Sequence, residues 1–362
     1  MRTTLRVLRD FSILMVIAAV VAVPGMAKNG KQAGAKNKAK VQAATGPKVI
    51  WQDPGDIASR NLFYGSGGEE HAPKGTEYKF IAEDTSGTTP KFDVKDENGV
   101  TWRAKLGIDA KCDTAAARLL WSVGYFAPED YYLPSLRARG MTEQNMKRGH
   151  KWFAPTEDGT VTGGIRLKRK LEGEKKLGEW AWFNNPFQGS KEFDGLRVMM
   201  ALLGNWDTAT KNNKIFSEKN GEIHYEITDL DATFGKTGDN AFNRSRGVLG
   251  DYQKSRFLAE VNGQVVDFAP RPRPSIVQKV DLPAKVLHTQ IAQVLQNVPL
   301  EHVQWITGLL SQLSRDQIRD AFRAAGFPPE EVDGFTDVVQ KRIEALKNLG
   351  TSSVPTAGPN TQ

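Results

Sequence analysis

The sequence predicts an α+β protein, with a mostly β first half and a mostly α second half. Three observations carry that expectation. From Val49 to about Gly107, short extended runs alternate with dense Gly, Pro, Asp and Asn punctuation. Beyond Pro283, apolar residues recur at three- and four-residue spacing. The 362-residue chain is 39% hydrophobic and 25% charged, enough apolar material to bury a core.

Taken in order, the elements begin with a leader. Arg2, Arg6 and Arg9 precede an apolar run of 13 residues, Phe11 to Val23, followed by Pro24, Gly25, Met26 and Ala27. A positive start, an apolar stretch of that length and small residues at its end read as a secretory signal over 1–27, cleaved after Ala27. The run is short for a membrane-crossing helix. The mature chain is therefore expected to be exported, periplasmic or extracellular, without stable membrane insertion. Residues 28–48 are Lys, Ala, Gly, Asn and Gln with little to bury, and are expected to be a disordered spacer.

The folded part divides into a β-rich lobe at 49–168 and a helical lobe at 169–350, with a polar tail at 351–362. Tyr78–Ile81, Lys91–Val94 and Thr101–Leu106 read as strands. Asn98-Gly99 supplies the positive φ that a hairpin turn needs. Ala116, Leu119, Leu120 and Val123 mark a helix, and Gly124 can end it. Tyr131–Leu133 and Thr160–Leu167 are two further strands. Phe193, Leu196, Met200 and Leu203 give a second helix, stopped at Gly204. Lys214–Phe216 and Glu222–Ile227 form a hairpin around Lys219-Asn220-Gly221. Leu287, Ile291, Val294 and Val298 make one helical stripe, and Val303, Ile306, Leu310 and Leu313 the next. Ser314 and Gln317 form a capping box for a helix that stops at Gly326, before Pro328 and Pro329. Val332, Phe335, Val339 and Leu346 line the last helix.

Composition excludes several classes. One Cys, Cys112, rules out an internal disulfide or a cysteine metal cage, and it reads as a packed, inert thiol. No two of the five His are spaced i,i+3 or i,i+4, so the helical metalloprotease motif is absent. The net charge of +7 is no sign of nucleic-acid binding. Residues 1–27 carry +2 and the six Lys of 28–48 carry +6, which leaves −1 for the other 314 residues.

The chemistry-bearing stretch is Gly204-Asn205-Trp206-Asp207-Thr208-Ala209-Thr210-Lys211-Asn212-Asn213, with Thr228-Asp229-Leu230-Asp231 on the far side of the hairpin. A carboxylate that deprotonates a hydroxyl, beside an amide oxygen and a second carboxylate able to hold a hard cation, is the equipment of phosphoryl transfer. In order and spacing, residues 62–235 resemble the protein kinase-like superfamily, closest to its atypical HipA-type and phosphatidylinositol-kinase-type members. The resemblance implies a kinase-like two-lobe architecture, with Asp207 as the catalytic-loop base and Asn212 and Asp229 as metal ligands. It further implies Lys105, in Thr101–Leu106, as the phosphate-pairing lysine and Asp113 as its acidic partner. Gly65, Gly67 and Gly68 lie where a phosphate-covering loop is expected. ATP and Mg²⁺ (or Mn²⁺) are the implied cofactors, with an unknown hydroxyl-bearing acceptor.

The pattern has departures. Trp206 stands where typical kinases have Arg, Asn205 and Ala209 stand where related patterns have His, and Asp-Leu-Asp replaces Asp-Phe-Gly. Asp113 is one methylene shorter than the usual Glu. Two other readings stay open: a non-catalytic, pseudokinase-like binding module, and a hydrolase pairing Asp207 with Asp229. Asp231 reads as a second metal ligand or, in preference, a solvated turn residue, and Arg166, Lys168, Arg169 and Lys170 as a solvated charge run in preference to a substrate-anion site.

Overall fold

A computed structural model describes residues 44–87, 89–156, 158–237, 244–269 and 291–351. The leader at 1–27, the spacer up to residue 43, Leu287 and the tail from 352 lie outside the described residues. The described chain enters through a short strand, β1 (Lys48–Val49). Five strands then form a closed barrel: β2 (Glu77–Glu83), β3 (Lys91–Lys95), β4 (Thr101–Leu106), β5 (Asp130–Arg139) and β6 (Thr160–Arg169), in the order β2-β3-β4-β6-β5. Neighbours are antiparallel except where β5 returns to β2 in parallel, with Tyr78 opposite Ala138. Closure leaves the barrel without an open edge. The two-residue period of β4 turns Trp102, Ala104 and Leu106 into the barrel core, beside Phe92, Val94 and Ile165. By the same period Arg103 and Lys105 face outward.

Each strand read from the sequence is present. The short run at Tyr131–Leu133 extends into ten-residue β5, although Pro134 lacks a ladder donor. The strand accommodates it with a register shift between Leu133 and Ser135.

Helix α1 (Ile108–Ser122) follows β4 through Gly107, whose φ of 95° and N–H bond to Gly164 O at 2.9 Å make the corner. Its small residues Ala115, Ala116 and Ala117 are buried between the barrel and the second half of the chain, and so are its polar residues Asp113, Thr114 and Arg118.

The second half carries more strand than its helical pattern predicts. Strands β7 (Lys175–Glu179), β8 (Asn213–Ser217) and β9 (Ile223–Ile227) join β1 in a sheet of order β1-β9-β8-β7. Helix α2 (Lys191–Leu203) precedes β8; Ser190 caps its start and Gly204, at φ 64°, ends it as expected. After α3 (Leu249–Lys254), β10 (Leu258–Asn262), β11 (Val265–Phe268) and β12 (Val298–Pro299) build a small antiparallel sheet. Helices α4 (Leu300–Leu310), α5 (Arg315–Ala324) and α6 (Pro329–Thr351) complete the fold, and the Ser314–Gln317 capping box is formed.

Two expectations need correction. Val298 does not continue a helical stripe from Ile291: helix covers 291–294, Asn297 takes a φ of 53°, and Val298 pairs with Val266 in β12. Pro299 next to it cannot donate within a helix, which favours the break. The last residues of the spacer are also part of the fold. Pro47 O accepts Ile223 N–H at 2.8 Å, and Lys48 pairs with Ile223 in the parallel β1–β9 ladder. No helix among the described residues is long and apolar enough to cross a membrane.

A candidate active site around Lys105

Lys105 leaves the outer face of β4 and meets three carboxylates. Its Nζ lies 2.8 Å from Asp113 Oδ2, 2.9 Å from Asp229 Oδ1 and 2.7 Å from Asp231 Oδ2. Asp113 comes from α1, while Asp229 and Asp231 follow β9, so the lysine ties the barrel to the second half. Asp113 is 1% exposed and fully engaged: Oδ2 also binds Arg166 Nη1 at 2.6 Å, and Oδ1 accepts the Leu230 N–H at 2.7 Å. Arg166 reaches on to Asp130 at 3.6 Å, and Arg118 meets that same carboxylate at 3.2 Å. A line of alternating charge thus runs beneath the site inside the protein.

Two sequence readings change here. Arg166 is 6% exposed and ion-paired, not part of a solvated run; on β6 its parity places it opposite Lys105, facing α1. Asp231 is not a solvated turn residue. Its Oδ1 binds Arg246 Nη1 at 2.8 Å, and Arg246 binds Asp109 Oδ1 at 3.0 Å as well. The Arg246 guanidinium lies 5.0 Å above the Trp206 ring, so the tryptophan at the position expected for Arg carries one from elsewhere in the chain.

These neighbours set the charge states. Burial alone would lower the pKa of Lys105, but Asp113, Asp229 and Asp231 together raise it well above the ordinary lysine value. Burial works against ionised Asp229, yet Lys105 and Arg166 pull its pKa down. Asp231 goes the other way. Burial raises it, and Asp113, Asp229 and Asp109 add to the rise against the pull of Lys105. The cluster therefore holds more carboxylate than its cations neutralise.

The loop carrying Asp207 is held by its own side chains. Asp207 N–H donates to Asn205 Oδ1 at 2.9 Å, Ala209 N–H donates to Asp207 Oδ1 at 3.2 Å, and Asn212 Nδ2 donates to Asp207 O at 3.0 Å. Trp206 N–H bonds Ala232 O at 3.1 Å, which joins this loop to the Asp229–Asp231 segment. Asn212 O accepts both the Thr228 N–H, at 2.9 Å, and the Thr228 hydroxyl, at 3.3 Å. Asp207 is half-buried, and its Oδ2 has no partner among the described residues. The backbone thus sets Asn212 beside Thr228, the residue before Asp229. The carboxylate grouped most closely with Asp229, however, is Asp231.

Gly65, Gly67 and Gly68 have a different occupation from phosphate contact. A Cβ on Gly65 would strike the Arg118 guanidinium, and one on Gly67 would strike the Tyr131 hydroxyl. Gly68 O accepts that hydroxyl at 2.8 Å. Gly65 and Gly67 are explained by close packing over buried Arg118 and Tyr131 of β5, and Gly68 by its φ of 64° and close approach to Glu70. The segment against the Lys105 cluster is instead the turn between β2 and β3. Thr89 Oγ1 donates to Asp109 Oδ2 at 2.7 Å, and Pro90 O accepts the Leu106 N–H at 3.1 Å. Asp84 Oδ1 accepts from the Ser86 N–H at 2.9 Å and its hydroxyl at 2.6 Å, and Gly87 supplies a φ of 69°. Sequence reasoning passes over this turn, as it does Arg246, while Asp109, which from the sequence competes with Asp113 as the partner of Lys105, binds Thr89 and Arg246 instead. The signal that could find it is an Asp-x-Ser-Gly turn between two strands, one strand before the lysine.

The donor set suits a hard divalent cation. One oxygen each of Asp113, Asp229 and Asp231 lie within 4.8 Å of one another. Asp113 is buried and committed to Lys105, Arg166 and Leu230, whereas Asp229, and Asp231 once its Oδ2 leaves Lys105, offer all-oxygen ligands of the kind Mg²⁺ prefers. The carboxylate excess supplies the electrostatic reason for a cation there.

No protein-family model matches the chain, and no curated protein matches it. Among solved structures, it is similar to the Helicobacter pylori proinflammatory kinase CtkA, at 10% identity over 77% of this chain and 98% of that one, with a TM-score of 0.41. It is also similar to a Golgi casein kinase, at 12% identity over 76% of this chain and 73% of that one, with a TM-score of 0.33. Likeness this distant says nothing of activity, which has to be argued from the site's own chemistry.

Proposed function

We propose that the chain is a kinase-like phosphotransferase that moves a phosphoryl group from ATP to a hydroxyl acceptor, acting outside the cytoplasm as its leader-like first 27 residues favour. One observation carries the reading: Lys105, fixed by buried Asp113 on the barrel side, meets Asp229 and Asp231 from the second half at a single ammonium group. A structural ion pair needs one carboxylate, whereas a phosphate clamp facing two metal-ligating carboxylates needs this arrangement.

In this reading Asp229 and Asp231 would hold Mg²⁺, with the amide oxygen of Asn212 as a further ligand. Bound there, the cation would neutralise charge on the transferred phosphoryl group. Lys105 would exchange its bonds to Asp229 and Asp231 for phosphate oxygens while keeping Asp113. The β2–β3 turn, anchored through Thr89 and Pro90, would cover the phosphates. Asp207 uses its unpartnered Oδ2 to accept the proton of the acceptor hydroxyl. Asn205, Ala209 and Asn212 hold its loop in place.

The binding-module reading keeps a specific observation in its favour: Lys105 is hydrogen-bonded to both Asp229 and Asp231, bonds that phosphate and cation would have to replace. A phosphate-transfer assay with labelled ATP and Mg²⁺ separates the two. The proposal expects transfer to protein or small-molecule hydroxyls, reduced by ~10²-fold or more in Asp207→Asn. Tight nucleotide binding without turnover in the wild type would favour the binding module.

A further inference from the structure

A second cluster of ligating side chains lies outside the Lys105 site, on the outward face of the β8–β9 hairpin. Strand periodicity builds it. In Glu222-Ile223-His224-Tyr225-Glu226 the odd positions Ile223 and Tyr225 enter the core, while Glu222, His224 and Glu226 share the other face. Glu218 follows β8 on that same face. One nitrogen of His224 and one carboxylate oxygen each of Glu218 and Glu226 lie within 4.8 Å of one another. All three line a cavity of about 220 Å³ that Phe126, Arg60 and Glu174 also border.

Glu226 is the feature that asks for a ligand. It is 8% exposed, it faces the cavity, and its carboxylate has neither hydrogen bond nor ion pair among the described residues. The cations nearby are engaged elsewhere. Arg60 stacks on Trp121 at 4.6 Å and donates to Pro54 O at 3.1 Å, and Lys168 lies 5.6 Å over the Phe216 ring. A buried carboxylate without a partner is costly. Burial pushes Glu226 up to about 7, with Glu174 and Glu218 adding to the rise and Lys168 opposing it.

His224 is oriented as a ligand. Its Nε2 lies 2.9 Å from Glu222 Oε2 and its ring stacks on Phe126 at 3.7 Å, while Nδ1 faces Glu218 Oε1 at 3.9 Å. A carboxylate on the far ring nitrogen fixes the tautomer that leaves the near nitrogen free to bind a metal. We infer that Glu218, His224 and Glu226 form a binding site for a zinc-class divalent cation, separate from the Lys105 site. One imidazole and two carboxylates leave a coordination position open to the cavity, where Glu174 or water completes the set. Ligand atoms around such an ion stand ~3.3 Å apart, so a small inward rotation of the two glutamates closes the site. Hard Mg²⁺ has less to gain from the imidazole.

The test is titration of the full chain with Zn²⁺, and with Co²⁺ as a visible probe, following bound stoichiometry and melting temperature. The wild type is expected to bind about one Zn²⁺ at this site, with a rise in melting temperature and Co²⁺ absorption bands. Glu226→Gln and His224→Ala should each weaken binding by about tenfold or more. Asp229→Asn, which alters only the Lys105 site, should leave it unchanged. The metal-free Glu226→Gln protein should be at least as stable as the wild type, since it loses an unpaired buried charge; this shows that the variant folds. No Zn²⁺ binding by the wild type, or stoichiometry and affinity in Glu226→Gln and His224→Ala equal to those of the wild type, overturns the assignment.

Discussion

Asp113 Oδ1 accepts the backbone N–H of Leu230 at 2.7 Å, across 117 residues of sequence. The same carboxylate holds Lys105 and Arg166 through its other oxygen. One side chain of the barrel-side helix thereby positions both the lysine and the backbone between Asp229 and Asp231. A Glu would carry the carboxylate one methylene further from α1, so the shorter residue fits a close-packed, alanine-rich helix.

Removing that charge should be expensive. Asp113→Asn keeps an acceptor for Leu230 but leaves Arg166 and Lys105 short of a buried anion. We expect a loss of about 3–5 kcal/mol in denaturant unfolding, the range for breaking a buried pair. A loss of less than ~1 kcal/mol would mean that Asp130, Asp229 and Asp231 satisfy those cations alone.

Gly65 should behave as a packing residue. Gly65→Ala places a methyl group against Arg118 at a φ of 71°, with an expected cost of about 1–3 kcal/mol. ATP affinity should be unchanged. A variant of normal stability with weakened nucleotide binding would return this segment to the phosphate-covering role.

Asp207→Asn should leave Mg²⁺-ATP affinity within about twofold while reducing phosphate transfer by ~10²-fold or more, because the base acts on the acceptor and not on the metal. Calorimetry together with single-turnover assays of both proteins checks this. Equal losses in binding and transfer would move Asp207 into the nucleotide site.

Glu226 predicts a pH dependence. Its folded-state pKa of about 7 exceeds the ordinary 4.5, so the folded protein binds the extra proton. The group's contribution to stability is present below about pH 4.5 and is lost as pH rises through 7. In metal-free buffer the stability advantage of Glu226→Gln over the wild type should therefore grow by about 2–3 kcal/mol from about pH 5 to pH 8. Melting curves of the two proteins at both pH values measure it. An advantage that does not change with pH would show that Glu226 ionises without penalty.

What the sequence can tell divides along range. The strand Thr101–Leu106, the helix stop at Gly204 and the Ser314–Gln317 capping box rest on local chemistry, and all three are legible in the sequence alone. Lys105, Asp113 and Asp229 are reached through the order and spacing of a family pattern. Asp231 and Arg166 are misread because burial of a charged residue depends on partners in other elements, such as Lys105, 126 residues before Asp231, and Asp113, on the helix that faces Arg166. Nothing local separates a solvated Asp from one that binds Lys105 and Arg246. Strands β10 to β12 escape for a similar reason, since β12 is two residues long and is defined by its pairing with Val265 and Val266.

The most direct test of the account is the affinity for ATP with and without Mg²⁺, by calorimetry, in the wild type, Lys105→Met, Asp229→Asn and Asp231→Asn. Lys105 is taken to clamp phosphate, with Asp229 and Asp231 holding the cation. The wild type should therefore bind ATP with strong Mg²⁺ dependence, and each aspartate variant should lose about tenfold or more of the Mg²⁺ enhancement. Lys105→Met should weaken binding in both conditions. ATP binding that ignores Mg²⁺, or Mg²⁺ dependence that survives in both aspartate variants, would contradict the account.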